Sequence, residues 1–298
     1  MSENHEFTPT REPGAGIEST EIWDKIIEPK NNLLRLNIGE IIRYKDLLFL
    51  FVRRDFIAIY KQTILGPFWH IVQPIFTTLT FFIVFSRIAN IPTDGIPPLL
   101  FYLSGVTVWM FFAKCLTSTS QTFITNTDIF SKVYFPRLIM PLSSMFSALI
   151  SFGIQFALLA VVYFVYIFTG YEAHPNLWLL VLPAMVLIMA ILGLGLGTLI
   201  SSLTTKYRDL SFFVSFGVTL FMYVTPVIYP ASSIAPQFRK ILLLNPMAPV
   251  VEGFKYALFG AGNFSIKLLI YSAIASVLIF ISGIILFNRV EKTFVDTV

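Results

Sequence analysis

The chain has 298 residues, of which 56% are hydrophobic and only 13% are charged, and its mean hydropathy is +0.76. A water-soluble domain carries about 25% charged residues, so this composition excludes a soluble protein and predicts an integral membrane protein. The formal net charge is +4, but no basic run with interleaved aromatics occurs, which argues against nucleic-acid binding. The single cysteine, Cys115, excludes an intrachain disulfide framework and a thiolate metal cluster.

The first 66 residues divide into two parts. Residues 1–30 are rich in acidic residues, proline and glycine, which predicts a disordered cytoplasmic extension. Residues 1–20 contain no apolar stretch typical of a signal peptide, so no cleaved leader is expected. A helix is expected to begin near Asn37, because Glu40 lies three residues later and completes a capping box.

The segment 31–66 is expected to hold an amphipathic helix on the cytoplasmic face. Within Ile38–Leu65 the apolar run Leu47–Val52 is too short to cross a bilayer, and basic residues interrupt it. We therefore predict an interfacial helix that lies on the membrane surface, with a soluble helix packed on a partner as the alternative. Its basic residues are Arg43, Arg53, Arg54 and Lys61.

Six apolar segments are long enough to span a bilayer, which predicts an all-α transmembrane domain over residues 67–287. They are Pro67–Ser86, Pro98–Leu116, Pro141–Thr169, Leu177–Leu203, Leu210–Tyr229 and Ile266–Phe287. Lys and Arg cluster before the first span, after the second and fourth, and in the tail 288–298, which predicts that both termini are cytoplasmic. Lys114 lies near the cytoplasmic end of the second span and is expected to snorkel to the interface.

The external stretch between the fifth and sixth spans contains two short helical patterns. Gln237–Leu244 and Pro249–Phe259 flank the dipeptide Asn245-Pro246, and neither is long enough to span. Two re-entrant helices that dip into the outer leaflet are predicted, and an external loop with surface helices is the alternative. The polar residues singled out in this stretch are Arg239, Asn245, Glu252 and Lys255.

Polar side chains recur at helical spacing along two of the spans. On the first span they are His70, Gln73, Thr77 and Thr80, and on the fifth they are Ser211, Ser215, Thr219 and Tyr223. Such a stripe can line a hydrated conduit or can hydrogen-bond neighbouring helices, and both interpretations stay open. Packing is predicted for two other sets, Ser144, Ser147, Ser151 and Gln155 on the third span and Gly193, Gly197 and Ser201 on the fourth.

The loop after the second span carries apolar residues among charges. Phe130, Val133 and Phe135 are expected to be exposed, which predicts a docking surface for another protein. A loop folded back on the membrane is the alternative. The chain has no phosphate-binding glycine loop, nucleophile elbow or zinc-binding motif, and its three histidines are scattered. Neither enzyme activity nor a metal site is therefore expected.

Several motifs, in chain order, resemble the permease subunits of polysaccharide ABC exporters, which move O-antigen, capsule or teichoic acid. They are Asp46–Leu48 with Arg53–Asp55, Tyr60–Trp69 with Gln73–Pro74, Lys132–Arg137 with Pro141–Ser143, Tyr207–Asp209, and Asn245–Met247 with Glu252–Tyr256. The resemblance covers roughly Ile38–Phe287, which is nearly the whole chain.

The resemblance implies a homodimeric permease in the bacterial inner membrane, paired with two copies of a separate ATPase that binds ATP and Mg. It implies a conduit lined by the first and fifth spans, and a lipid-linked polysaccharide, O-antigen first, as substrate. The residues it assigns to ATPase coupling are Asp128, Phe130, Lys132, Phe135, Arg137, Tyr207, Arg208 and Asp209.

Other functions remain as alternatives. Teichoic acid or capsule export would use the same kind of machine. An ion-coupled secondary transporter is disfavoured, because the predicted spans hold no carboxylate and the two halves of the chain show no repeat. A membrane-bound transferase would need a catalytic carboxylate or histidine at the membrane interface.

Overall fold

A computed structural model describes residues 38–61, 63–64, 66–130, 132–133, 135–172, 175–204, 207, 209–262 and 264–294, and their regular structure is entirely helical. This confirms the all-α prediction. The predicted extension 1–30, the cap at Asn37 and Arg208 lie outside the described residues. The α-helices are α1 (Ile38–Arg43), α2 (Lys45–Tyr60), α3 (Trp69–Phe81), α4 (Pro98–Ser120), α5 (Thr122–Thr125), α6 (Thr127–Phe130), α7 (Ile139–Phe168), α8 (Leu182–Thr204), α9 (Leu210–Val224), α10 (Pro236–Leu244), α11 (Met247–Phe259) and α12 (Ile266–Phe294).

Five helical segments of the described chain are long and apolar enough to cross a membrane, so the protein is a multi-pass membrane protein. They are Gly66–Ile88, Pro98–Ser120, Ile139–Phe168, Leu177–Thr204 and Ile266–Arg289. The first combines a 3₁₀ turn, α3 and a π-helical turn at Phe82–Ile88, and the fourth begins with a 3₁₀ turn before α8. These segments coincide with five of the six predicted spans.

The remaining predicted span, Leu210–Tyr229, forms a shorter helix than expected. Helix α9 ends at Val224 and has 15 residues, which gives it a length of about 22 Å. Thr225 is extended, with ψ of 144°, because a residue that precedes a proline avoids the helical region. The predicted span Leu210–Tyr229 is therefore helical only as far as Val224, and the chain beyond Pro226 continues as buried, non-helical backbone.

Helix α4 lies at the centre of the bundle and packs closely on α8 through small residues. A Cβ built on Gly193 would lie 3.0 Å from the Cβ of Cys115, and one on Gly197 would lie 3.0 Å from the carbonyl oxygen of Leu116. The Thr204 hydroxyl donates a 3.0 Å hydrogen bond to the Ser120 carbonyl. The predicted packing ridge on this span is confirmed, and its partner is α4.

Helix α12 packs along another face of α8, again where glycines remove side chains. A Cβ on Gly195 would lie 2.7 Å from the Cα of Phe280, and one on Gly283 would meet the backbone of Gly195. The three helices α4, α8 and α12 thus form a tightly packed unit, because close backbone approach increases the van der Waals contact that holds membrane helices together.

One end of the bundle, here named the α2 end, contains α2, α5 and α6. Helix α2 lies against the start of α7 in a cluster formed by Leu48, Phe51, Val52, Phe135, Ile139 and Met140. The aromatic rings at this end form a series of contacts. Phe123 stacks on Phe287 of α12 at 4.6 Å and contacts Phe130 at 5.7 Å, both measured between ring centroids. Aromatic packing therefore joins α2, the α5–α6 region and α12.

The opposite end, here named the α11 end, contains α10 and α11. Nearly all residues of α11 are buried, although this helix is too short to span. The Tyr163 hydroxyl donates a 2.9 Å hydrogen bond to the Leu258 carbonyl, and the Asn176 side chain donates to the Tyr256 carbonyl at 3.1 Å. The two predicted short helices therefore form, and α11 is packed among the ends of the long helices.

Candidate functional site

The polar stripe on α3 lies on an open face of the protomer. Gln73 and Thr80 are exposed, while His70 and Thr77 are half-buried. The Thr77 hydroxyl donates to the Gln73 carbonyl at 3.0 Å, and the Thr80 hydroxyl donates to the Phe76 carbonyl at 2.8 Å. Both hydroxyls therefore donate within the helix that carries them and not to a neighbouring helix.

The stripe on α9 has the same character. Ser215, Thr219 and Tyr223 are exposed, and Ser211 is half-buried. The Ser215 hydroxyl donates to the Ser211 carbonyl at 3.2 Å, and Thr219 donates to the Ser215 carbonyl at 3.0 Å. Exposed phenylalanines flank the stripe at positions 212, 213 and 216. The hydroxyls of Ser215 and Thr219 therefore donate within α9 rather than to a neighbouring helix.

The two stripes stand on helices that both pack on α4. The Phe81 ring of α3 meets the Tyr102 ring of α4 with 6.4 Å between centroids, and Phe221 of α9 meets Trp109 at 5.9 Å. The structure therefore positions each stripe relative to the same central helix while leaving both outer faces open.

The loop between α5 and α7 presents charged and apolar side chains at the α2 end. Asp128, Lys132 and Val133 are exposed, and Val133 is 55% exposed. Phe130 and Arg137 are half-buried, and the Arg137 guanidinium lies 5.6 Å from the centre of the Phe130 ring. The described part of this loop therefore exposes the apolar side chain of Val133 beside the charged side chains of Asp128 and Lys132.

The expected exposure of Phe135 is wrong. Its side chain is only 4% exposed, and its ring contacts Phe51 of α2 at 5.7 Å and Phe130 at 5.6 Å. Phe135 is buried because α2 folds against the start of α7 and covers the loop. It belongs to the core of the α2 end rather than to a surface that another protein can touch.

The second predicted coupling segment lies between α8 and α9. Tyr207 is 52% exposed, and Asp209 is exposed immediately before α9 begins. Asp209 accepts a backbone hydrogen bond of 3.1 Å from Phe212 through its own carbonyl, so its carboxylate is not used as the cap of α9. This segment thus presents both an aromatic and an acidic side chain at its surface.

The four basic residues singled out in the predicted interfacial helix are exposed. They are Arg43, Arg53, Arg54 and Lys61. Arg54 pairs with Asp55 at 2.7 Å and reaches the side-chain oxygen of Asn126 at 3.5 Å. Phe49 and Leu50 are also exposed, on the side of α2 that does not face α7. This arrangement of exposed apolar and basic side chains is typical of a helix that contacts lipid.

The residues singled out near α10 and α11 brace the backbone. Lys255 and Glu252 are buried, at 2% and 5% exposure. Lys255 Nζ donates to the Pro226 carbonyl at 2.8 Å, and Glu252 accepts from the Ala231 N–H at 3.3 Å. Asn245 donates to the Thr225 hydroxyl at 2.9 Å. Three side chains of this region therefore fix the segment that follows α9.

Arg239 differs from those three residues because it is exposed, and it lines a cavity of about 290 Å³ between α10, α11 and the start of α12. Lys255 lies in α11, in the same stretch of the chain as Arg239. Since its ammonium is buried in α11, it does not behave as a loop charge.

Residues 46–259 match the family model of the ABC-2 type transporters. The chain belongs to this family. The match extends from α2 to the end of α11, so it includes both polar stripes and both exposed loops. The resemblance to ABC-exporter permeases that the sequence motifs indicated is confirmed.

Curated relatives of this ABC-2 chain are named for one transport system. An "O-antigen export system permease protein RfbA" from Klebsiella pneumoniae is 27% identical over 264 residues, which cover 88% of this chain and 98% of that protein. A protein of the same name from Myxococcus xanthus is 26% identical over 225 residues, which cover 75% of this chain and 84% of that protein.

One residue of this ABC-2 chain has a role that sequence reasoning missed. Lys114 does not snorkel: its Nζ donates a 2.6 Å hydrogen bond to the hydroxyl of Ser151 on α7. Helix α4 continues to Ser120, so Lys114 lies deeper in the bundle than expected. The sequence held one sign of this role. Lys114 lies one helical turn after Met110, on the face of α4 that meets Gln155 of α7.

Proposed function

We propose that this chain is the membrane-spanning permease of an ABC exporter that moves lipid-linked O-antigen polysaccharide from the cytoplasm across the inner membrane of a bacterium. The observation that carries the proposal is the extent of the likeness to RfbA of Klebsiella pneumoniae. It covers 88% of this chain and 98% of that protein, which is a whole permease rather than one shared segment.

The open faces of α3 and α9 support a conduit formed by two copies of the chain. A conduit for a hydrated glycan needs hydroxyl groups that the glycan can contact. It also needs few fixed charges, because these would hold the glycan in place. The α3 and α9 stripes offer hydroxyls, an amide and aromatic rings, and neither helix carries an acidic residue. In the homodimer the residues lining the conduit would be His70, Gln73, Thr77, Thr80, Ser211, Ser215, Thr219 and Tyr223.

Energy would come from a separate pair of ATPase subunits that bind ATP and Mg, since this chain supplies the permease. Their docking surface would be the loop between α5 and α7 together with the segment before α9. The residues that would contact or support it are Asp128, Phe130, Lys132, Arg137, Tyr207, Arg208 and Asp209. The exposed apolar side chain of Val133 would fill a pocket at the centre of that contact.

The proposed topology has six crossings and both termini in the cytoplasm. Helix α9 with residues 225–229 would make the fifth crossing, α2 would lie in the cytoplasmic interface, and α10 and α11 would be re-entrant from outside. The buried position of α11 supports this, because a short helix at membrane depth needs protein around it. The α2 end would then be cytoplasmic.

Affinity purification of the tagged chain from its native membranes tests the proposal. We expect an ABC ATPase in equal copy number, and loss of surface O-antigen when the gene for this chain is deleted. If the deletion removes capsule or teichoic acid instead, the assignment as an ABC exporter permease holds but the proposed substrate is wrong. If the chain purifies alone and mediates solute or ion flux without ATP, it is a secondary transporter and the proposal fails.

A further inference from the structure

Lys114 is the one charged residue of the five long helical segments that lies more than a turn from either end of its segment. It precedes the last residue of α4, Ser120, by six positions, which corresponds to about 9 Å along the helix axis. A charge at such a depth is costly unless it is paired, so an ionisable residue inside a membrane span marks a functional site by default.

The structure gives this ammonium a neutral partner. Its hydrogen bond goes to the Ser151 hydroxyl at 2.6 Å. The nearby carboxylate that acts on it electrostatically, Asp55 of α2, is already paired with Arg54 at 2.7 Å. Among the described residues, Lys114 therefore forms no ion pair. The described part of the chain thus supplies no carboxylate that is paired with this ammonium.

The surroundings of Lys114 hold further unused hydrogen-bonding capacity. Ser147, Ser151 and Gln155 stand one turn apart on α7, and with Lys114 they form what we name the α4/α7 polar seam. The hydroxyl of Ser147 and the side-chain oxygen of Gln155 are buried without a hydrogen-bond partner in the described part of the chain. Buried polar groups normally have partners, so the seam is incomplete as it stands.

Lys114 lies in the half of α4 that is nearer the α2 end, because α5 follows α4 directly. Its side chain is half-buried rather than sealed in the core. Helix α2 packs against α7, and α3 packs against both α4 and α7, the two helices that carry the seam. The exposed lipid-facing side chains of α2, Phe49 and Leu50, lie at the same end of the bundle.

We propose that Lys114 and the α4/α7 polar seam form a subsite for the phosphate of a lipid headgroup. The proposal rests on the proposed function, because a lipid-linked glycan carries phosphate at the join between its lipid and its sugar. Phosphate is a strong acceptor for an ammonium, and the contact is charge-assisted. The headgroup would enter between α2 and α3, and the Ser147 hydroxyl would donate to one of the remaining phosphate oxygens. The Ser151 hydroxyl already donates to the Ser147 carbonyl at 3.1 Å, so it would not contact the phosphate.

Binding of two matched lipids to the purified full-length chain tests the subsite. The probes are a long-chain polyprenyl phosphate and the corresponding neutral polyprenol, measured by native mass spectrometry after delipidation. We expect the wild type to prefer the phosphate by about tenfold or more, as one charge-assisted contact predicts. Lys114→Gln should lose this preference and Lys114→Arg should keep it.

Two substitutions at Ser151 separate a charge effect from a structural one. Ser151→Asp places a carboxylate beside the ammonium and should abolish the preference with Lys114 still in place. Ser151→Ala removes the hydrogen bond between Ser151 and Lys114 but leaves the charge, so it should retain the preference. Lys267→Gln is the matched control, because Lys267 is an exposed basic residue at the other end of the bundle. It should bind as the wild type does.

The subsite is overturned if Lys114→Gln or Ser151→Asp keeps the wild-type preference, or if Ser151→Ala loses it. Competition with phosphatidylglycerol identifies the source of the phosphate: full displacement supports an ordinary bilayer lipid, and no displacement supports the glycan carrier. The proposed function fails separately, when the wild-type complex moves no glycan. If the wild-type complex exports glycan but Lys114→Gln and Ser151→Asp keep the wild-type preference for the phosphate, the subsite alone is overturned.

Discussion

The ammonium of Lys255 donates a 2.8 Å hydrogen bond to the carbonyl of Pro226, and this bond ties the buried helix α11 to the segment that follows α9. The same ammonium lies 3.6 Å from the centre of the Phe101 ring on α4. Burial lowers the pKa of Lys255 from 10.5 to about 8, because the site removes the ammonium from water. One side chain thus joins three parts of the α11 end.

The pKa of Lys255 predicts a pH-dependent stability. Between about 8 and 10.5 the folded chain has released the Lys255 proton while the unfolded chain still holds it. The unfolded state then binds more protons, so the free energy of unfolding rises with pH across this window. The neutral amine still donates to the Pro226 carbonyl, so the contact survives.

The measurement is the difference in unfolding temperature between the wild type and Lys255→Met in detergent, at pH 7 and at pH 10. The wild type should gain stability relative to the variant at the higher pH. The exposed Lys267→Met serves as the control and should show no such gain. A difference that stays constant across the window would mean that water reaches the Lys255 ammonium in the folded chain.

Gly197→Ala should destabilise the α4–α8 contact. The added methyl would meet the Leu116 carbonyl oxygen at 3.0 Å and would also clash with the Thr119 side chain. Overpacking of this kind costs about 1–3 kcal/mol. Thermal unfolding in detergent measures the loss, and Gly153→Ala on α7 is the matched control, since no atom lies within 4 Å of that position. Equal losses of stability for Gly197→Ala and Gly153→Ala would refute a requirement for glycine at the α4–α8 contact.

Lys132→Glu combined with Val133→Asp should weaken ATPase binding by about tenfold or more, if these residues are central to the docking surface. Both side chains are exposed, so the unfolding temperature of the chain should not change. The amount of ATPase that co-purifies with the tagged chain is the measurement. Glu172→Lys, a charge change at the α11 end, is the control. If the double variant recovers as much ATPase as the wild type does, the loop is not part of the docking contact.

Thr77→Trp and Thr219→Trp together should block the export of long glycans. The hydroxyls that are lost bond only to the helices that carry them, so folding and ATPase binding should be retained while the large rings obstruct the conduit. Surface O-antigen length on cells is the measurement. Val161→Trp, on an exposed position of α7, is the control. Normal export of long glycans with both threonines replaced would place the conduit elsewhere.

Features that depend on local rules are predictable from the sequence. The length of apolar runs locates the long helices, since a bilayer fixes how many residues a span needs. Gly193 and Gly197 recur one turn apart, which predicts close helix packing before the partner is known. The start of α9 and the presence of α10 and α11 follow in the same way from helical spacing and from the break at Asn245-Pro246.

Features that depend on distant partners are not predictable in this way. Phe135 is buried because α2, far earlier in the chain, folds over its loop. Lys114 bonds to Ser151, which lies 37 residues away on another helix. The early end of α9 is a different case: Pro226 signals it, but the apolar side chains of Val227 and Ile228 extend the hydrophobic run beyond it.

Reconstitution of the chain with its co-purifying ATPase in liposomes tests the exporter proposal most directly. Lipid-linked O-antigen is supplied on the side that carries the ATPase, and a glycan-cleaving enzyme on the other side reports its arrival. We predict arrival only when ATP, Mg and the ATPase are all present, with loss of arrival in an ATPase variant that cannot hydrolyse ATP. Arrival without ATP, or no arrival with all components present, would contradict the proposal that this chain is the permease of an O-antigen ABC exporter.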